Sequence, residues 1–215
     1  MSTVISNGFD CDIFRPDEHA RDGIREQLGL ESTCILVGLV ARLHPAKDHS
    51  GFLQAASLVA ALYPESRFVL VGKGLMDSEP KLTNLISQLN LTGRVLLLGE
   101  RTDIPQLVAG LDIACSSSVY EGFSNFIGEA MACGVPCVVT DVGDSAYLVG
   151  DTGLIVPSRK PEALAHAIGQ LIDAGSAKRK ELGMAARQRI EFEFSLPRIA
   201  RRYEDLYEKC LACPQ

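Results

Sequence analysis

The stretch from Leu111 to Val139 limits most sharply what this chain can fold into. Leu111-Asp112-Ile113-Ala114-Cys115 reads as a buried strand that runs into a Ser116-Ser117-Ser118 turn. A polar loop follows, carrying Glu121 and, eight positions on, Glu129. Gly122-Phe123-Ser124-Asn125 between them reads as a turn, and the small-residue run from Glu129 to Gly134 reads as a helix. Gly134 closes that helix and Pro136 bars it from continuing. Val135 to Val139 is short, apolar and β-branched, the pattern of a strand covered on both faces. Strand, polar loop, helix and strand in that order put the loop at the carboxyl ends of a parallel sheet, where ligands bind.

Spacing then suggests what the loop does. A helix beginning near Ser124 or Asn125 places Glu129 about one turn in and Glu121 before the start. The N–H groups of Phe123, Ser124 and Asn125 are left without partners at a helix terminus that carries partial positive charge, which suits a phosphate. The plainer alternative makes Glu121 a cap and Glu129 a solvated helix residue. The residues alone leave both readings open.

Glu121-(seven residues)-Glu129 followed by Ala-Met-Ala-Cys-Gly-Val-Pro resembles the E-x7-E signature of the retaining glycosyltransferase family 4 (group 1 transferases). The resemblance extends over essentially the whole chain. Asn7, Gly8, Asp10, Phe14 and Pro16 match the family's I-x-N-G-V-D … F-x-P segment, which marks the crossing from an N-terminal to a C-terminal domain. Ala41-Arg42-Leu43 through Lys47 resembles G-R-L-x-x-x-K, Gly72-Lys73-Gly74 the V-G-x-G turn, and Gly99 to Asp112 the F-x-G-x-x-x-D-x-x-x-L-x-x-x-A-D passage. Lys73 departs from the acid common in the family.

The resemblance implies an α/β fold: a doubly wound parallel sheet, Rossmann-like, the C-terminal half of a GT-B fold. It implies one donor-binding domain over residues 1–215, with an N-terminal acceptor domain missing. The implied ligand is a nucleotide diphosphate sugar, with a UDP-hexose favoured on family frequency alone. Arg42 and Lys47 would take the diphosphate together with the turn at Phe123, Ser124 and Asn125. Glu129 would hold the ribose, and Glu121 the donor sugar and the charge developing at its anomeric carbon. Gly72 and Gly74 would let the backbone approach closely. Arg101 either stacks on the base or is solvated. No cofactor is implied and no metal: Asp10-Cys11-Asp12 has Asp-x-Asp spacing but falls in the crossing segment. Two rival readings are a nucleotide-sugar-binding module without transfer activity and a GT-B sugar-nucleotide epimerase.

Composition excludes other classes. Apolar residues make up 47% of the 215, which suits a packed domain. A net charge of −6 argues against nucleic acid as a partner. No apolar run approaches the roughly 18 residues of a membrane span. The seven cysteines have no repeated spacing, and Cys34, Cys115 and Cys137 read as core residues of a chain suited to a reducing cytoplasm. Peripheral membrane contact would come through the missing domain. Cys210 and Cys213 have C-x-x-C spacing and read as incidental. His44 and His49 read as loop residues.

Overall fold

Each apolar run expected to be a central strand becomes one, and all pair in parallel. They are β1 (Ile35–Val40), β2 (Ser66–Val71), β3 (Val95–Leu97), β4 (Ile113–Ser116), β5 (Cys137–Thr140) and β6 (Leu154–Val156), in the order β3-β2-β1-β4-β5-β6. The computed structural model describes residues 3–212. In β1, Val37 lies beside Phe68 of β2 and Ile113 of β4, and Val138 of β5 lies beside Leu154 of β6. The order reverses direction between β1 and β4, so the sheet has a topological switch point there.

The connecting helices are α1 (Glu18–Gln27), α2 (His49–Leu62), α3 (Pro80–Gln88), α4 (Ile104–Ala109), α5 (Asn125–Ala132), α6 (Ser145–Val149), α7 (Pro161–Asp173), α8 (Gly175–Arg189) and α9 (Leu196–Ala212). Side chains alternate across the sheet. Leu36, Val69, Val71, Ala114, Cys137 and Val139 pack on one face with α4 and α5. Val37, Leu39, Phe68, Leu70, Ile113, Cys115 and Val138 pack on the other with α2, α3 and α7. This two-sided burial is why the strands read as continuous apolar runs. Gly38 leaves room for the Leu111 side chain, whose nearest carbon would stand 2.5 Å from a β-carbon there. Asp112 ties α1 to the sheet, accepting from Arg21 at 2.6 Å, Arg25 at 3.0 Å and the Leu36 N–H at 2.8 Å.

Three local expectations are corrected. Val4 and Ile5 ahead of the Asn7-Gly8 turn read as the opening of a short strand but form none; Phe9 instead makes an isolated bridge to Ser195, because its partner segment presents one residue before α9 begins. The apolar spacing predicts a helix from about Ala177 to Phe192, but the helix is regular only to Arg189, and Ile190–Phe194 widen into a π-helical turn. His49 is the first residue of α2 and is buried, because Asp48, in the left-handed region at φ 47°, caps the helix one residue earlier than a loop reading allows. Cys34, Cys115 and Cys137 are buried as expected, and burial pushes the last two thiols well above their usual range. Cys213 and Met1 lie outside the described residues.

Candidate functional site

The carboxyl ends of β3, β2, β1 and β4 are joined to one another by backbone hydrogen bonds between their loops. Gly72 donates to the Gly99 carbonyl at 2.7 Å, Leu43 to Lys73 at 2.8 Å, and Val119 to Ala46 at 2.9 Å. Asp144 donates to the Gly122 carbonyl at 2.9 Å, which brings the end of β5 into the same row. Two glycines make the close approaches possible. Gly72 (φ +143°) would place a β-carbon 2.3 Å from the Ala41 carbonyl oxygen, and Gly143 (φ +53°) one 2.1 Å from that of Glu121. No other residue tolerates both the dihedral and the contact. Gly74 also has positive φ (+87°) and lies against the Leu43 side chain.

Within this row the structure brings three of the expected residues together across the switch point. Lys47 sits in a single 3-10 turn, Pro45–Lys47, after β1, and its ammonium pairs with the Glu121 carboxylate from the loop after β4. Both side chains are largely buried, at 24% and 13% exposure. The Ser118 hydroxyl donates to the same carboxylate oxygen at 3.3 Å. Ser117 fixes the Lys47 turn from beneath, donating to the Lys47 carbonyl at 2.8 Å and to that of Asp48 at 3.1 Å. Thr140 of β5 donates to the Ser118 carbonyl at 2.7 Å. Lys47, Ser117, Ser118, Glu121 and Ser124 line a small recess above β1 and β4, with Phe126 as an apolar wall.

Ser124 is the N-cap of α5, but its side chain makes no capping bond. Among the described residues, the backbone N–H groups of Phe123, Ser124 and Asn125 donate to no protein group. They lie at the partially positive end of the helix, beside Lys47 and Glu121. Arg42 is exposed at the end of β1 and pairs with no described carboxylate.

Glu129 faces a different space. It lines a cavity of about 510 Å³ with Asn125, the segment Ser6–Asp10 and the first turns of α9. Burial raises its pKa, and its carboxylate accepts no hydrogen bond among the described residues. Arg101 is drawn away from the recess: its guanidinium forms two hydrogen bonds with Asp103 and one, at 3.4 Å, with Gln27. That pairing holds the Asp103 carboxyl below its usual range. Among the described residues no group of three or more His, Cys, Asp and Glu side chains has metal-holding geometry. None of their helices is long and apolar enough to cross a membrane.

Sequence reasoning gave no role in the site or core to Ser117, Ser118, Gly143 or His49. The serine run was legible only as a turn; its position after a buried strand, three residues before Glu121, was the available signal. His49 is 4% exposed, and neither ring nitrogen makes a regular hydrogen bond. Burial pushes its pKa down to about 4, opposed by the Ala41 carbonyl.

Comparison with known proteins points the same way. A family model described as glycosyl transferases group 1 matches residues 34–174. The chain is 30% identical over 209 residues to the UDP-Gal:alpha-D-GlcNAc-diphosphoundecaprenol alpha-1,3-galactosyltransferase of Escherichia coli, covering 95% of this chain and 53% of that protein. It is 28% identical over 220 residues to the lipopolysaccharide core biosynthesis mannosyltransferase LpsB of Rhizobium meliloti, covering 98% and 61%. Its fold is similar to that of Anabaena HepE in complex with UDP and glucose, with a TM-score of 0.87, 29% identity, and coverage of 96% of this chain and 56% of that one. The chain thus spans little more than half the length of these relatives. The matched segment runs from the residue before β1 to the end of α7 and contains the whole row of loops described above, so the chain belongs to the group 1 glycosyltransferases.

Proposed function

We propose that this domain binds the nucleotide diphosphate sugar donor of a retaining, metal-independent hexosyl transfer, and that an acceptor domain completes the enzyme. The observation that carries the reading is the Lys47–Glu121 pair astride the switch point, next to the unpartnered amides at the start of α5. A UDP-sugar is favoured: one relative's name specifies UDP-Gal, and HepE was solved with UDP. This chain spans 53% and 61% of the length of the two named relatives.

The difficult step in such a transfer is the build-up of charge on the departing diphosphate. An ammonium has three donors, and Glu121 occupies one on Lys47. The remaining two, the Arg42 guanidinium and the α5 amides are assigned here to stabilising that charge. Glu121, held by Lys47 and Ser118, presents a carboxylate to the donor sugar and offsets positive charge at the anomeric carbon as the bond breaks. Glu129, free of protein donors, accepts from ribose hydroxyls. Gly72 and Gly74 let the β2 turn close on Ala41 and Leu43 of the loop after β1, in place of the direct approach to a ligand expected of them, and Arg101 borders the base through the loop after β3.

A thermal-shift screen with UDP, GDP and ADP tests the reading, since a ligand that binds only the native state raises the melting temperature. A rise with UDP supports it, and no rise with any of the three contradicts it.

A further inference from the structure

Phe123 belongs to the turn whose amides the donor reading assigns to the diphosphate, yet its side chain points away into an aromatic cluster. Its ring stacks on Phe9 at 6.0 Å between centroids and 20° between planes. On its other side it meets Phe194 at 5.9 Å. Phe194 in turn meets Tyr147 of α6 edge-on at 5.6 Å, and the Arg189 guanidinium lies 5.6 Å from the Phe194 ring centre. Arg189 also donates to the Leu148 and Tyr147 carbonyls at 2.9 and 2.7 Å, which pins α6.

Phe9 and Phe194 are themselves joined. The Phe9 N–H donates to the Phe194 carbonyl at 2.8 Å, and the Leu196 N–H donates to the Phe9 carbonyl at 2.8 Å. The segment before α1 and the segment before α9 are therefore laced together beneath the start of α5. Asn7 adds a side-chain bond to Asn125 at 2.9 Å. Helix α5 accommodates the clamp at Gly128, where a β-carbon would stand 1.9 Å from the Phe9 ring.

We propose that Phe9 and Phe194 are positioning residues: through Phe123 they set the aim of the amides at the start of α5, so that the pairing of residues 7–10 with 194–196 regulates how tightly the domain holds a diphosphate. The idea rests on the donor reading above. Neither ring lines the recess that holds Lys47 and Glu121. Phe194 lines neither that recess nor the cavity that Glu129 faces, so its action on a ligand is indirect and falls on the phosphates rather than on the nucleoside; Phe9 borders the Glu129 cavity as well.

The test compares UDP with uridine, titrated into the wild-type chain, Phe194→Leu and Phe194→Met, with melting temperatures recorded alongside; Phe9 is left intact because it borders the cavity that Glu129 faces. The proposal expects UDP affinity to fall about tenfold, the loss of one mis-aimed charge-assisted hydrogen bond, while uridine affinity is unchanged. Phe194 is fully buried, so Tyr147→Ala serves as a milder variant: Tyr147 is 53% exposed, and its loss should weaken UDP in the same direction by a smaller factor. Lower melting temperatures with UDP affinity intact in all three variants would reduce the cluster to packing and overturn the proposal. So would equal losses for UDP and uridine. A wild-type chain that binds no UDP overturns the donor reading itself, and this proposal with it.

Discussion

Lys47 and Glu121 stand 74 positions apart in the chain and form an ion pair across the carboxyl ends of β1 and β4. The pair serves stability as well as the proposed site, and the two contributions separate by mutation. Lys47→Met leaves a largely buried carboxylate unpaired and should destabilise the chain by about 1–3 kcal/mol, between the values for exposed and buried pairs. Lys47→Met with Glu121→Gln should recover most of that stability, because no orphaned charge remains. It should not recover UDP affinity. Urea denaturation and UDP titration of the single and double variants check this; affinity returning with stability would mean that Lys47 acts only as a strut.

The two glutamates should differ in what they hold. Glu129 borders the larger cavity and Glu121 the recess, so they do not face one ligand group together. Glu129→Ala is expected to weaken bare UDP, whereas Glu121→Ala leaves it nearly unchanged and removes the preference for UDP-sugar over UDP. In a complete enzyme Glu121→Ala should chiefly lower turnover, since it acts as the bond breaks. Calorimetric titration of both variants with both ligands decides; equal losses everywhere would assign the pair to loop shape alone.

Gly143 supports Glu121 from the β5 side. Gly143→Ala combines a positive φ of 53° with a β-carbon 2.1 Å from the Glu121 carbonyl oxygen. The loop must move, at a cost of about 1–3 kcal/mol. A matching control is Gly122→Ala, where nothing lies within 4 Å. A clear loss of melting temperature and of UDP-sugar preference in Gly143→Ala, without either in Gly122→Ala, is the expected outcome.

His49 should make the domain acid-sensitive. Its folded pKa of about 4 lies below the ordinary 6.5, so between these values the unfolded chain binds the extra proton. Stability is therefore highest above pH 6.5 and falls as pH drops toward 4. Asp48 and Lys47 are the charged groups acting on the ring, with opposite signs, and the Ala41 carbonyl faces it. Between pH 7 and pH 5 the His49 contribution amounts to about 2 kcal/mol. His49→Leu should remove that share of the pH dependence in urea denaturation; an unchanged slope would show that the imidazole charges freely in the folded state.

The sheet was legible because strands buried on both faces need unbroken apolar runs, and Gly134 with Pro136 marks a helix-to-strand change unambiguously. The site was legible as separate loops. Lys47 and Glu121 could each be placed at the ligand end of a strand, but their pairing follows from strand order, which no local pattern carries. His49 escaped notice because a lone histidine beside a charged loop looks solvated; only the left-handed cap at Asp48 turns it inward. The short strand expected ahead of the Asn7-Gly8 turn failed for a related reason, since Phe9 alone bridges to Ser195 and an apolar pattern cannot report a missing partner.

The central claim, donor diphosphate binding by charge and helix amides without a metal, is tested most directly by calorimetric titration of UDP into this chain with and without EDTA, repeated with Arg42→Ala. The account predicts binding by the wild-type chain, the same affinity in EDTA, and a loss of about 1.5–3 kcal/mol in Arg42→Ala, the range for hydrogen bonds to charged groups. Binding that disappears in EDTA, or an Arg42→Ala variant with unchanged affinity, would contradict it.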